Sequence, residues 1–118
     1  MTFQNDYLAA WIEPNDRARR DAIERVWDTD AELSVSSTGE TLRGIHAIEA
    51  HIGAVHGDLI ATKGLTFQYD QELTSGDALL LRWSMTAPTG AVVGRGVDTV
   101  FRNADGRVSR AYMFMGVS

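Results

Sequence analysis

One carboxylate in this chain sits where a carboxylate is costly. Asp98 lies within Gly94-Arg95-Gly96-Val97-Asp98-Thr99-Val100-Phe101, a run that reads as a strand. Asp is depleted in strands because its short side chain competes for backbone hydrogen bonds and buries badly. An apolar pocket around it would disfavour the charged form, raise its pKa and make it a general acid/base near neutral pH. The plain alternative is a carboxylate satisfied by a backbone donor or by an Arg on the next strand. His51 is the second candidate. It borders the helical stripe Ile48, Ile52 and Val55, so it reads either as a hydrogen-bonded histidine at a helix margin or as a pocket imidazole pairing with Asp98 in proton transfer. Tyr7 and Trp11 share an apolar stripe with Leu8 and Ile12; each is a core aromatic or a pocket wall. His46 falls on the solvent side of its helix, and His56 is placed to stabilise a helix C-terminus.

The elements that must carry these residues follow from periodicity. Tyr7 to Ile12 predicts a helix ended by Pro14, and Asn15 or Asp16 caps a second whose stripe is Ala18, Ala22, Ile23, Val26 and Trp27. Residues 31–36 read as a short strand, and Ile45 to Val55 as a third helix opened by Gly44 and broken near Gly57. Leu65, Phe67, Tyr69, Gln71 and Leu73 then alternate with polar residues, the period of a strand. Turns at Ser75-Gly76-Asp77, Pro88-Thr89-Gly90 and Asn103 to Gly106 separate three further strands. Helices followed by hairpin-linked strands predict an α+β fold with an antiparallel sheet. Gly94 and Gly96 lie on the Asp98 side of their strand and read as a bend or bulge. The strand from Ala78 to Met85 is apolar on both faces in its first half, so the sheet is expected to be covered on both sides, by helices and by a second subunit.

The 118 residues fit a single domain, 1–118, and 44% hydrophobic with 23% charged is the balance of a soluble globular chain. A net charge of −5 argues against nucleic acid. The basic cluster Arg17, Arg19, Arg20 and Arg25 is interleaved with acids and reads as a solvated helix face. Zero cysteines exclude disulfides and a Cys nucleophile. No apolar run suits a membrane and no signal peptide is evident, so a cytoplasmic location is the default expectation. No metal site is expected, since no His or carboxylate pair has ligand spacing with a third partner. The glycines do not bridge a strand to a helix, so they form no phosphate cradle.

Several short stretches together resemble the nuclear transport factor 2-like superfamily, and within it the SnoaL-like and ketosteroid isomerase-like enzymes. They are Tyr7-Leu8-Ala9-Ala10-Trp11, Trp27-Asp28-Thr29-Asp30-Ala31, Leu42 to Ile48, Val97-Asp98 and Asn103 to Gly116. The resemblance implies three N-terminal helices packed on a strongly curved antiparallel sheet, forming a cone whose open end is a pocket. It implies Tyr7 as a hydrogen-bond donor to a substrate oxygen and Asp98 as the pocket acid. It also implies that Ala111, Met113 and Met115 face the pocket while Tyr112 and Phe114 face away. The aspartate base of the isomerases aligns with Val35, so isomerisation by their usual route is not expected. The function implied is cofactor-independent acid/base chemistry, a cyclisation or isomerisation, on an apolar oxygenated small molecule. Asp98, Tyr7 and His51 are its catalytic candidates, and Trp11, Trp83, Arg82, Met113 and Met115 its substrate-binding ones. The alternatives are an epoxide hydrolase-like activity, which would need Arg82 or Arg95 beside Asp98, and a non-catalytic ligand-binding or dimerisation module. A homodimer is expected in each case.

Overall fold

The computed structural model describes residues 3–117. Helix α1 (Phe3–Ile12) stops just short of Pro14, and α2 (Asp16–Val26) starts at an N-cap where the Asn15 side chain accepts a hydrogen bond from the Ala18 amide at 2.9 Å. Strand β1 (Trp27–Val35) turns into β2 (Glu40–Arg43), a short strand that sequence periodicity does not reveal. Helix α3 (Ile45–Val55) follows and ends close to Gly57, where a break is expected. A π-helical turn over His56–Ala61 succeeds it, before β3 (Thr66–Ser75), β4 (Ala78–Thr86), β5 (Val92–Arg102) and β6 (Val108–Met115). His56 is buried at the junction, its backbone amide donating to Ile52 and Gly53 carbonyls. Among the described residues no helix is long and apolar enough to cross a membrane.

The buried stripe of α2 is shifted from the expected one. Arg19, Ala22, Ile23 and Val26 are buried while Ala18 is exposed, so an arginine occupies the first position of an i, i+3, i+4, i+7 face. Arg19 therefore leaves the solvated basic cluster. Its guanidinium donates to the Glu13 carbonyl at 2.9 Å and pairs with Asp16, tying the α1–α2 corner. Gly53 on α3 packs beside it: a Cβ there would lie 3.6 Å from the Arg19 Nη2, an ordinary contact distance. Arg19→Ala should lower stability by about 1–3 kcal/mol, because it removes a charged donor from the part-buried Glu13 carbonyl; the midpoint of urea unfolding checks this.

The six strands form one open sheet in the order β2-β1-β6-β5-β4-β3. Every neighbouring pair is antiparallel except β1 and β6, which run parallel. The expected antiparallel sheet is thus corrected at one pair, where the first and last strands of the chain meet with no hairpin between them. The helices cover one face, where Leu79, Leu81, Val100, Ala111, Ile48 and Ile52 join Trp27 and Tyr7 in the core. On the other face β3 breaks phase. A bulge between Tyr69 and Gln71 sets Leu73 opposite Leu80 on the outward side, so the alternating series does not keep one face beyond Tyr69. Leu73 is left 52% exposed and Phe114 46%.

Candidate functional site

A cavity lies between the helices and the sheet. Its volume is about 90 Å³, smaller than the roughly 300–1,000 Å³ usual for drug-sized ligands. Trp11 from α1 and His51 and Val55 from α3 form one wall. Leu59 and Ile60, from the π-helical turn, close over it. The sheet supplies Val35, Phe67, Tyr69, Trp83, Asp98, Met113 and Met115. Asp98 is the single carboxylate among these residues.

Register explains how Asp98 comes to point inward. It pairs with Leu81 on β4 and Met113 on β6, both buried on the helix-covered face. Only 3% of Asp98 is exposed. Its Oδ1 accepts a hydrogen bond from the Trp83 indole Nε1 at 3.1 Å. Loss of hydration pushes its pKa up from 3.8 to about 7, against the downward pull of the Trp83 donor and then of the Tyr7 hydroxyl. A carboxyl with that midpoint is present in both forms near pH 7, so it can take a proton in one step and return it in the next.

Two phenols flank the acid. Tyr7 is fully buried and does not line the cavity. It stacks at a tilt on Trp27, with ring centroids 5.6 Å apart. Burial first, and then the Asp98 charge, hold its ionisation far above the usual phenol range. No hydrogen bond of ordinary geometry joins its hydroxyl to Asp98, so Trp83 is the donor that fixes the carboxylate and Tyr7 acts on it at slightly longer range. Tyr69 does line the cavity and is half-buried; burial and then Asp98 likewise push its pKa beyond the ordinary range. Sequence reasoning passed over Tyr69, which looks like one more apolar member of an alternating strand. Its phenolic oxygen was the signal available.

His51 lines the cavity with its ring edge-on to Trp11, 86° between planes and 6.0 Å between centroids. Burial lowers its pKa, partly offset by Glu40, so the imidazole is neutral at pH 7. Asp98 is not among the groups that act on it, and the two share the cavity without forming a direct pair. Trp11, Trp83, Met113 and Met115 all line the cavity, whereas Arg82 does not. Arg82 pairs with Val97, one residue out of phase with the Leu81–Asp98 pair, so it lies on the opposite face of the sheet. Arg95 is exposed and pairs with Ser84. Neither arginine stands beside Asp98. Val35 lies in the cavity wall and brings no carboxylate there. Among the described residues no group of three His, Asp or Glu side chains is arranged to hold a metal ion.

The expected irregularity is present beside Gly94, where the β4–β5 register shifts between Met85 and Thr86, and both glycines are also seats for side chains across the ladder. A Cβ on Gly96 would fall 2.1 Å from the Trp83 Cζ2, and one on Gly94 2.5 Å from the Met85 terminal methyl. Each is the cross-strand partner of the side chain that covers it.

The architecture recurs in solved structures. A candidate isomerase of the SnoaL-like family from Agrobacterium tumefaciens superposes with a TM-score of 0.84 at 24% identity, covering 98% of this chain and 95% of its own. A protein from Catenulispora acidiphila with a ketosteroid isomerase-like fold, determined with trimethylamine, gives 0.74 at 13% identity over 98% and 86%. A candidate polyketide cyclase from Sinorhizobium meliloti gives 0.66 at 17% identity over 96% and 99%. At these identities the likeness establishes the fold alone. No curated protein is significantly similar in sequence. The family model of the SnoaL-like domain matches residues 5–111, nearly the whole chain. This chain therefore belongs to the SnoaL-like domain family.

Proposed function

We propose that this protein is a small enzyme performing cofactor-independent acid/base chemistry, a cyclisation or isomerisation, on an apolar oxygenated small molecule. The observation that carries the reading is Asp98: a carboxyl 3% exposed, facing an apolar cavity, with its pKa raised to about 7. In the ionised form it withdraws a proton from carbon next to a carbonyl, and in the protonated form it returns one elsewhere on the same substrate. The negative charge that develops on the carbonyl oxygen needs a donor inside the cavity, and Tyr69 offers its hydroxyl there. Tyr7, behind Asp98, tunes the acid rather than touching the substrate. The neutral His51, on the facing wall, is the second proton carrier. Aromatic and thioether groups of Trp11, Phe67, Trp83, Met113 and Met115 hold the hydrocarbon body. An epoxide hydrolase-like reaction is disfavoured by the outward placement of Arg82 and Arg95.

The two tyrosines separate in their predicted effects. With a panel of cyclic ketones and polyketide-like phenols as substrates, Tyr69→Phe should lower kcat by about 10–100-fold with KM little changed, the loss of one transition-state donor. Tyr7→Phe should leave kcat near that of the unaltered protein and move the acid limb of the pH–rate profile upward. Failure of Asp98→Asn to affect any turnover found would remove the proposal and leave a ligand-binding module in its place.

A further inference from the structure

We propose that Gly96 and Trp83 form a paired positioning device that aims an indole N–H at Asp98 and so sets how readily that carboxyl gives up its proton. The inference rests on the reading of Asp98 as acid/base, yet its own observable is the ionisation of Asp98, which can be followed without any substrate.

The geometry is built from one cross-strand pair. Trp83 on β4 stands opposite Gly96 on β5. The benzene half of the indole lies over Gly96 so closely that a Cβ there would meet Cζ2, Cε2 and Cη2 at 2.1, 2.5 and 2.6 Å. Real Cβ contacts do not come so near, and the obstacle is a rigid ring rather than the end of a flexible chain. Only glycine admits the indole in this pose. Phe67 on the far side meets the Trp83 ring edge-on at 63°, with centroids 5.7 Å apart, and so closes the other direction of escape. Held between them, Trp83 is 4% exposed and its Nε1 reaches Asp98 Oδ1, two residues along β5 from Gly96, at 3.1 Å.

The N–H can only donate, so it favours the carboxylate over the acid. The titratable groups on every element facing Asp98 confirm how much depends on this bond. Tyr7 on α1 and Tyr69 on β3 are both neutral phenols over the working range. His51 on α3 shares the cavity and is neutral at pH 7. The immediate neighbours on β4 and β6, Leu81 and Met113, are apolar. Arg82 and Arg95 belong to the other face. With no cation turned toward it, Asp98 has the indole as its one short, well-formed stabilising contact.

The test is an NMR titration of the Asp98 carboxyl carbon together with the Trp83 indole N–H signal. In the unaltered protein both should move with one shared midpoint. Trp83→Phe keeps an aromatic ring without the donor and should raise the Asp98 midpoint by about one pH unit or more, the usual worth of a hydrogen bond to a charged group. Gly96→Ala should raise it too, by pushing the indole off its seat. In the Trp83→Phe background Gly96→Ala should add little, because the ring atoms it collides with are gone. Gly94→Ala is the control: it meets only the mobile methyl of Met85 and should leave the midpoint in place. If Gly96→Ala does not fold, Trp83→Phe and the shared indole titration still decide the matter. An Asp98 midpoint unmoved in Trp83→Phe, or an indole signal blind to that midpoint, would overturn the proposal. A midpoint that shifts as expected in a protein whose turnover ignores Asp98→Asn would retain this device and reject the catalytic role.

Discussion

Asp98→Asn should cut turnover by about 10²–10⁴-fold, the range over which positioned acid/base groups accelerate reactions. Asn keeps the shape of Asp and can still accept the Trp83 indole N–H through its amide oxygen, so the cavity is preserved and only proton exchange is lost. Since the carboxyl has its midpoint at about 7, kcat/KM in the unaltered protein should change steeply around neutrality, and that limb should vanish from any residual activity of the variant. A fall confined to KM would instead assign Asp98 to substrate binding.

The same substitution should stabilise the fold above neutral pH by about 4 kcal/mol. The carboxyl holds its proton up to about pH 7 in the folded chain, against an ordinary value of 3.8, and each pH unit of difference is worth about 1.4 kcal/mol. The sign follows from which state binds the proton. Between about pH 4 and 7 the folded state keeps it and the unfolded chain does not, so stability falls as pH rises through that window and then levels off. The neutral Asn does not undergo this loss. His51 acts in the opposite direction: its depressed pKa makes its contribution grow as pH rises through the acid range. Comparing the two proteins at each pH cancels that term. Denaturant unfolding at pH 5 and pH 8 is the check. Because pH 5 already lies about one unit above the ordinary value of 3.8, the expected outcome is a gain for Asn of roughly 1–2 kcal/mol there, growing to the full value at pH 8. Such a cost, carried by a single side chain, is the stability–function conflict expected where a carboxyl is kept poised for chemistry.

How far the sequence discloses this site depends on whether local chemistry or long-range register decides the point. Asp98 was legible because an acid within an apolar strand is anomalous by itself. The strand parity of Met113 and Met115 was legible too, since it needs nothing beyond alternation. Asn15 as a cap and Pro14 as a stop are local signals, and both landed where the structure has them. Arg82 was not placeable from local signals, because its face is fixed by a cross-strand pairing that puts Leu81, and not Arg82, opposite Asp98. The bulge after Tyr69 hid which member of an alternating strand ends the inward series, so the phenol that lines the cavity escaped notice. Gly94 and Gly96 suggested a bend or bulge, and the register does shift beside Gly94; what the sequence did not show is that their smallness also serves the side chains of Met85 and Trp83 across the ladder. Gly57 suggested a helix end, and α3 does end at Val55; what the sequence did not show is the π-helical turn that follows it and brings Leu59 and Ile60 to the cavity. Arg19 was misread because its Asp16 partner, an i,i+3 neighbour, looks like any solvated helix pair, and only the turn between α1 and α2 brings the Glu13 carbonyl to the guanidinium.

The most direct test of the central claim is the titration of the Asp98 carboxyl in the unaltered, ligand-free protein, followed by carbon NMR and assigned through Asp98→Asn. A midpoint near 7 is the predicted result. A midpoint at or below about 4, the ordinary carboxylate range, would show a charged structural residue and contradict the proposal that this cavity performs acid/base chemistry.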